Sequence, residues 1–182
     1  VQAAKNAMRA GFDGVEIHSA NGYLLDSCLR DGSNQRGDAY GGTVENRARL
    51  LLEVTEAVVG VWEAGRVAVR LSPWNSFGDM HDSDPTATFG FAARALSAFG
   101  LAYLHVIEPI GASAHAAGAA SAYPLLPRLR RLFGGPVAAC GGYTGRTAEA
   151  AIASGAADLV AFGEAFIANP DLPARIRAAA PL

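Results

Sequence analysis

The sequence predicts a parallel α/β fold, and two observations carry this prediction. Short apolar runs rich in Val, Ile and Leu, with little alternation, are typical of parallel strands that are covered on both faces. Stretches with helical spacing lie between these runs and end close to glycines such as Gly100 and Gly155. Repeated βα units with short connections indicate a parallel sheet. The pattern alone allows a piece of a (β/α)8 barrel or an open doubly wound sheet, because the strands are too few to close an eight-stranded barrel.

Strands and helices are expected to alternate along the whole chain. The expected strands lie at 14–18, 67–71, 103–107, 137–139 and 159–162. The expected helices lie at 45–61, 84–99, 124–133, 144–154 and 171–180. Asp84 and Pro85 suit the N-cap and first position of the second of these helices. Residues 112–122 are rich in Ala, Gly and Ser, and this composition predicts a flexible loop after a strand.

Length and composition favour one domain and exclude several classes of function. The 182 residues, 51% of them hydrophobic, suit a single domain (1–182) with a sizeable core. A net charge of -2 without a basic run gives no support for nucleic-acid binding. Cys28 and Cys140 lie far apart without a CxxC motif, and no segment resembles a signal peptide or membrane span, so a cytoplasmic protein is expected. Residues 1–10 have the spacing of a helix end, which together with the start at Val1 suggests the C-terminal part of a longer protein.

Three polar side chains, His18, Asn21 and Tyr23, follow the first expected strand. The turn-prone residues 19–22 place all three at the carboxyl end of that strand. A histidine after a strand is commonly a core or loop residue. Here, however, the histidine and asparagine can donate hydrogen bonds without a formal charge, and the phenol can give up a proton. Such a trio can hold a carbonyl oxygen and protonate a neighbouring carbon.

Three later segments end strands with residues suited to anions. Arg70 closes the second expected strand, where Ser72 and Pro73 stop it. Gly141 and Gly142 follow the fourth strand, and Gly163 follows the fifth. Glycines there let backbone N–H groups approach a phosphate, and the next helix adds its dipole. A single glycine pair is usually only a turn, but two such sites in consecutive final βα loops match where barrels commonly bind phosphate.

Taken together, these segments closely resemble the old yellow enzyme family of FMN-dependent ene-reductases. The resemblance is carried by H-x-x-N-x-Y from His18 to Tyr23 and by N-Q-R-x-D-x-Y-G-G-x-x-E-N-R from Asn34 to Arg47. It continues through four shorter motifs, Arg70-Leu71-Ser72-Pro73, Cys140-Gly141-Gly142-Tyr143, Phe162-Gly163 and Asn169-Pro170-Asp171-Leu172. The resemblance therefore covers essentially the whole chain.

This resemblance implies the fourth to eighth strands of a TIM barrel, with the first three missing. It implies an FMN cofactor bound by Arg70, Gly141, Gly142 and Gly163, with NADH or NADPH as electron donor. The implied reaction is the reduction of an activated C=C bond in an α,β-unsaturated carbonyl or nitro compound. The family assigns the binding of the substrate oxygen to His18 and Asn21, and the proton transfer to Tyr23.

Other positions allow more than one role or depart from the family. Phe77 matches an aromatic residue of the substrate pocket, although a loop aromatic that covers the core is an equal alternative. Glu164 stands where the family very often has an arginine that pairs with the FMN phosphate, and a carboxylate would repel that phosphate. The segment from Tyr40 to Arg47 is interpreted as scaffold, with Thr43 as a helix cap. Both cysteines are interpreted as small buried residues.

Two alternatives remain beside the ene-reductase hypothesis. The chain is also consistent with an incomplete, non-catalytic barrel fragment, whose exposed strand edges would favour self-association. A phosphate-binding TIM barrel without flavin would share the glycine loops, but it gives no reason for the polar trio to occur beside Arg70. Three histidines, His81, His105 and His115, show no metal-ligand spacing, so no metal is assigned.

Overall fold

The computed structural model describes residues 1–74, 76–109 and 125–181 and contains one parallel sheet. Its strands are β1 (Val15–Ser19), β2 (Val67–Leu71), β3 (Tyr103–Ile107), β4 (Val137–Cys140) and β5 (Leu159–Val160). They are ordered β1-β2-β3-β4-β5, and every neighbouring pair is parallel. The second and third strands match their predicted bounds, whereas the last is shorter than predicted.

Helices connect these strands or follow them. They are α1 (Gln2–Arg9), α2 (Leu24–Leu29), α3 (Val44–Val59), α4 (Pro85–Ser97), α5 (Leu125–Phe133), α6 (Gly145–Ala153), α7 (Glu164–Ala168) and α8 (Leu172–Arg177). Short 3-10 turns lie at Ala64–Arg66 and Phe77–Asp79. The predicted cap of α4 is confirmed, because the Asp84 side chain accepts a hydrogen bond from Ala87 N at 2.9 Å. The short helices α2 and α7 were not predicted.

The helices cover one face of the sheet. Val67, Val69 and Leu71 of β2 are fully buried in the apolar core, together with residues of α3 and α4 such as Leu51 and Phe89. The alternate position Arg70 points to the other face, as the pleat requires. Their composition suggested strands covered on both faces, but within the described residues the helices pack on one face of the sheet, which argues against the doubly wound sheet. The prediction of a partial barrel is confirmed.

The strand register places polar residues side by side on the uncovered inner face. His18 of β1 pairs with Arg70 of β2, and Arg70 pairs with His105 of β3. Ile107 of β3 pairs with Cys140 of β4. Because residues in register on parallel strands share a face, these side chains line one surface near the carboxyl ends of the strands. In the described residues no helix is long and apolar enough to cross a membrane. The expected loop at 112–122 and His115 lie outside the described residues.

Candidate active site

A cavity of about 700 Å³ opens at the carboxyl ends of the strands. Asn21, Arg70, Gly141, Gly142 and Gly163 all line it. Five of the predicted site residues therefore lie around one cavity. They come from four different βα connections and strand ends. This is the end of a parallel α/β barrel at which functional sites form.

The turn after β1 has an unusual backbone. Asn21 has a φ of 58° and Gly22 a φ of 77°, so two consecutive residues lie in the left-handed region. A non-glycine residue tolerates this conformation best when it is asparagine or aspartate. The backbone N–H of Asn21 donates to Ser72 Oγ at 2.7 Å, and that of Gly22 donates to Asp26 Oδ2 at 2.9 Å. The turn is thus held by Ser72, which belongs to the motif from Arg70 to Pro73, and by Asp26, which no sequence motif had marked.

A buried ion pair lies beneath this turn. Arg30 Nε donates to Asp26 Oδ1 at 2.8 Å, and both side chains are almost completely buried. Arg30 Nη2 also donates to the carbonyl of Ser72, and its guanidinium lies 5.1 Å from the centre of the Phe89 ring. Ser72 Oγ in turn donates to Asp26 Oδ2 at 3.3 Å. The network joins α2 to the end of β2 and so fixes the Asn21 turn relative to Arg70.

His18 and Tyr23 lie next to each other at the rim. Their ring centroids are 5.2 Å apart with an interplanar angle of 55°, and Tyr23 is 65% exposed. Among the described residues, the lining of the cavity includes Asn21 but neither of these rings. Phe77 is 77% exposed, and a Cβ on Gly22 would lie 3.0 Å from its carbonyl oxygen, so the Phe77 turn crosses over the Asn21 turn.

The glycine loops line the cavity, and the backbone at Gly141 requires a glycine. Gly141 has a φ of 131°, and a Cβ there would lie 2.5 Å from the Glu108 carbonyl oxygen, so no other residue fits without backbone movement. The next helix, α6, starts with a capping box between Thr144 and Thr147. Gly163 occupies the N-cap of α7, and Glu164, its first residue, lines the same cavity. A negative charge therefore lies at the predicted phosphate end of the cavity.

A second polar cluster continues along the inner face. Glu16 Oε2 lies 3.0 Å from His105 Nδ1. Burial lowers the pKa of His105, but the neighbouring Cys140 and Glu16 more than offset this and raise it to about 9. Burial raises the pKa of Glu16, and the hydrogen bond and charge of His105 outweigh that effect and lower it. The pair is therefore ionic at neutral pH, although sequence reasoning had given His105 no role.

Arg70 connects this cluster to the cavity. Its Nη2 lies 3.5 Å from Cys140 Sγ, whereas its buried Nε has no hydrogen-bond partner within the described parts of the chain. Burial raises the pKa of the Cys140 thiol, but His105 and Arg70 together lower it below its ordinary value. Cys140 is buried as expected, but Cys28 is only half-buried.

The segment from Tyr40 to Arg47 packs against neighbouring parts of the chain and is not among the described residues that line the cavity. These contacts agree with its interpretation as scaffold. Arg47 donates to the carbonyls of Leu29 and Gly42 at 2.9 Å and 2.6 Å. Thr43 caps α3, since its side chain accepts from Asn46 N. A Cβ on Gly41 would lie 2.1 Å from the Arg36 carbonyl oxygen, which explains a glycine there.

Comparisons with known proteins agree with this geometry. Residues 1–182 match the NADH:flavin oxidoreductase / NADH oxidase family. The chain belongs to this family. It is 47% identical over 182 residues to the rice (Oryza sativa subsp. japonica) 12-oxophytodienoate reductase 1, covering 100% of this chain and 47% of that protein. The predicted old yellow enzyme resemblance is thereby confirmed.

Two solved structures of the family superpose closely on the chain. The old yellow enzyme homologue from Zymomonas mobilis matches with a TM-score of 0.91 at 45% identity, over 100% of this chain and 50% of that one. Morphinone reductase in complex with tetrahydroNAD matches with a TM-score of 0.89 at 42% identity, over 100% of this chain and 47% of that one. The chain spans about half the length of the relatives it matches.

Proposed function

We propose that this chain forms the substrate-binding part of an FMN-dependent oxidoreductase that reduces activated C=C bonds with NADH or NADPH. The observation that carries the proposal is the convergence of Asn21, Arg70 and three glycines on one cavity. The substrate class is an α,β-unsaturated carbonyl or nitro compound, because the residues at the rim are hydrogen-bond donors and a phenol. Family membership supports the redox chemistry, and the named relatives support a reductase.

The residues of the cavity fit a flavin phosphate cofactor in most respects. The buried Arg70 Nε lacks a partner in the described structure, and such a cationic donor suits the side of a flavin ring that becomes negative on reduction. Gly141 and Gly142 leave backbone N–H groups accessible to a phosphate. When bound there, FMN would supply the hydride. Glu164 opposes the phosphate charge, so backbone donors must hold the phosphate if FMN binds.

The remaining steps belong to the chain's own side chains. His18 and Asn21 donate hydrogen bonds to the substrate oxygen, which polarises the double bond and stabilises the developing enolate. Tyr23 gives its phenolic proton to the α-carbon. The high exposure of Tyr23 places that phenol at the open rim, where a substrate can approach. The Asp26–Arg30–Ser72 network holds the backbone of Asn21 in its left-handed turn.

A second candidate is a catalytically incomplete barrel. Within the described residues β1 and β5 each pair with one neighbour, so both ends of the sheet have free strand edges. Free edges promote association, and the proposed partner is a second copy of this chain. A phosphate-binding barrel without flavin would not explain why Arg70 lies beside Cys140. The family assignment also disfavours it.

Flavin titration of this chain tests both candidates. FMN fluorescence is expected to be quenched on binding, and Arg70→Met is expected to abolish or strongly weaken the quenching. Arg94→Met, which removes an exposed arginine from α4, is the matched control and should bind as the parent does. Equal affinity in both variants would refute the role of Arg70. A monomer that holds FMN stoichiometrically in gel filtration would reject the incomplete-barrel candidate.

A further inference from the structure

Cys140 lies between two cationic side chains at the bottom of the cavity. Arg70 Nη2 lies 3.5 Å from its Sγ, and the His105 ring, next to Arg70 in register, also acts on the thiol. The Glu16 carboxylate contacts the Nδ1 atom of the His105 ring at 3.0 Å. The order carboxylate, imidazole, thiol is the arrangement that activates a cysteine nucleophile, because the imidazolium stabilises the thiolate and the carboxylate orients the ring.

Two buried donors near this thiol have no hydrogen-bond partner among the described residues. His105 is 7% exposed, it lines the cavity, and its Nε2 has no hydrogen-bond partner among the described residues. The buried Arg70 Nε also has no hydrogen-bond partner among the described residues. Buried polar atoms are normally satisfied, so a pair of free donors beside a nucleophile indicates a place for an acceptor group of a ligand. An electrophile that carries a carbonyl oxygen would supply that acceptor.

We propose that Cys140 is a modification site for small activated alkenes. The Cys140 thiolate adds to the β-carbon of the alkene, so that a C–S bond forms and the C=C π bond breaks. The electron pair moves to the activating carbonyl as an enolate, which His105 and Arg70 stabilise by hydrogen bonds, and water then protonates the α-carbon. No oxidant or reductant is consumed. This inference does not depend on flavin binding.

The other charged groups near the thiol set its pH dependence. Tyr143 follows it in the loop and donates to Glu108, and burial with this hydrogen bond raises the pKa of Tyr143, so the phenol stays neutral. Glu164 lines the same cavity and is the one carboxylate of that lining among the described residues that opposes a thiolate. The positive charges of Arg70 and His105 outweigh the negative charge of Glu164, in agreement with the lowered pKa of the Cys140 thiol.

The two cysteines of the chain provide an internal comparison. Cys28 is more exposed than Cys140, but burial raises the pKa of its thiol, whereas that of Cys140 is lowered. N-ethylmaleimide, an activated alkene, is added at limiting concentration at pH 6.5, and the labelled peptides are quantified by mass spectrometry over time. Cys140 should be labelled faster than Cys28, because a larger fraction of its thiol is ionised at this pH. Slower labelling of Cys140 than of Cys28 would overturn the proposal without any variant.

Two variants then test the cause of the reactivity. His105→Gln should raise the pH at which Cys140 labelling reaches half its maximal rate, since the imidazolium no longer stabilises the thiolate. His81→Gln, which changes an exposed histidine, should leave that pH unchanged. Circular dichroism verifies that both variants are folded. An unchanged pH midpoint in a folded His105→Gln protein would refute the cluster as the source of reactivity.

Discussion

The buried pair of Asp26 and Arg30 gives the sharpest test of how this site is supported. In Arg30→Met the methionine can refill much of the apolar contact over Phe89, but it leaves the buried Asp26 carboxylate without its cation. Removing one partner of a buried ion pair costs about 3–5 kcal/mol, because the remaining charge stays desolvated. The free energy of unfolding of Arg30→Met should therefore fall by about this amount.

The double variant separates the charge from the packing. Asp26→Asn keeps an oxygen that can accept from Gly22 N but removes the charge. In Arg30→Met/Asp26→Asn no uncompensated charge remains, so the loss should shrink to about 1–3 kcal/mol, close to the cost of the hydrogen bonds alone. The cycle should then give a coupling energy of roughly 2 kcal/mol or more.

An exposed ion pair with the same i,i+4 spacing serves as the control. Arg175 and Asp171 form the same i,i+4 contact at the same 2.8 Å, but their side chains are 39% and 59% exposed. Arg175→Met should therefore cost no more than about 1 kcal/mol. Urea unfolding followed by tryptophan fluorescence measures five proteins, namely the parent, Arg30→Met, Asp26→Asn, the double variant and Arg175→Met. A loss in Arg30→Met as small as in Arg175→Met, or strict additivity in the double variant, would refute the reasoning.

Three further predictions concern the site. Tyr23→Phe should slow alkene reduction but not flavin reduction by the nicotinamide in stopped-flow measurements of the flavin-loaded protein, and equal losses would reject Tyr23 as proton donor. Glu164→Arg should tighten FMN binding, measured by fluorescence titration, and leave riboflavin binding unchanged, because only FMN carries the phosphate; a parallel change in both would show another cause. His105 should keep its proton to about pH 9 in an NMR titration, and Glu16→Gln should lower that midpoint, since the carboxylate is 3.0 Å from Nδ1; a midpoint near the ordinary histidine value of about 6.5 would contradict the ion pair.

The fold was largely predictable because its signals are local. Strands β2 and β3 are mostly apolar runs with clear ends, interrupted by Arg70 and His105, and the helix caps at Thr43 and Asp84 are short-range motifs. The missed helix α2 begins directly after the Tyr23 turn and has six residues, too few for a periodic pattern. It is held instead by tertiary contacts such as the hydrogen bond from Arg30 to the Ser72 carbonyl, which a periodicity argument does not detect.

The candidate site was predicted only where a motif marked it. Asn21, Arg70 and the glycines belong to recognisable segments, and the structure does bring them to one cavity. Glu16 and His105 are separated by 89 positions in the chain, and only the strand register brings them together. The i,i+4 spacing of Asp26 and Arg30 was visible in the sequence, but such pairs usually lie on helix surfaces, so their burial could not be foreseen.

The alternation of side chains along each strand determines both which residues enter the core and which residues face the site. In β2 the residues Val67, Val69 and Leu71 face the helices, so Arg70 must face the opposite side. A register slip of one residue would bring the guanidinium into the apolar core and expose three large side chains. The free-energy difference between these two arrangements is therefore large, because burying an unpaired guanidinium adds to the cost of exposing three apolar side chains. The apolar residues that stabilise the fold thus place Arg70, His105 and Cys140 on one surface, which gives the inner face its chemistry.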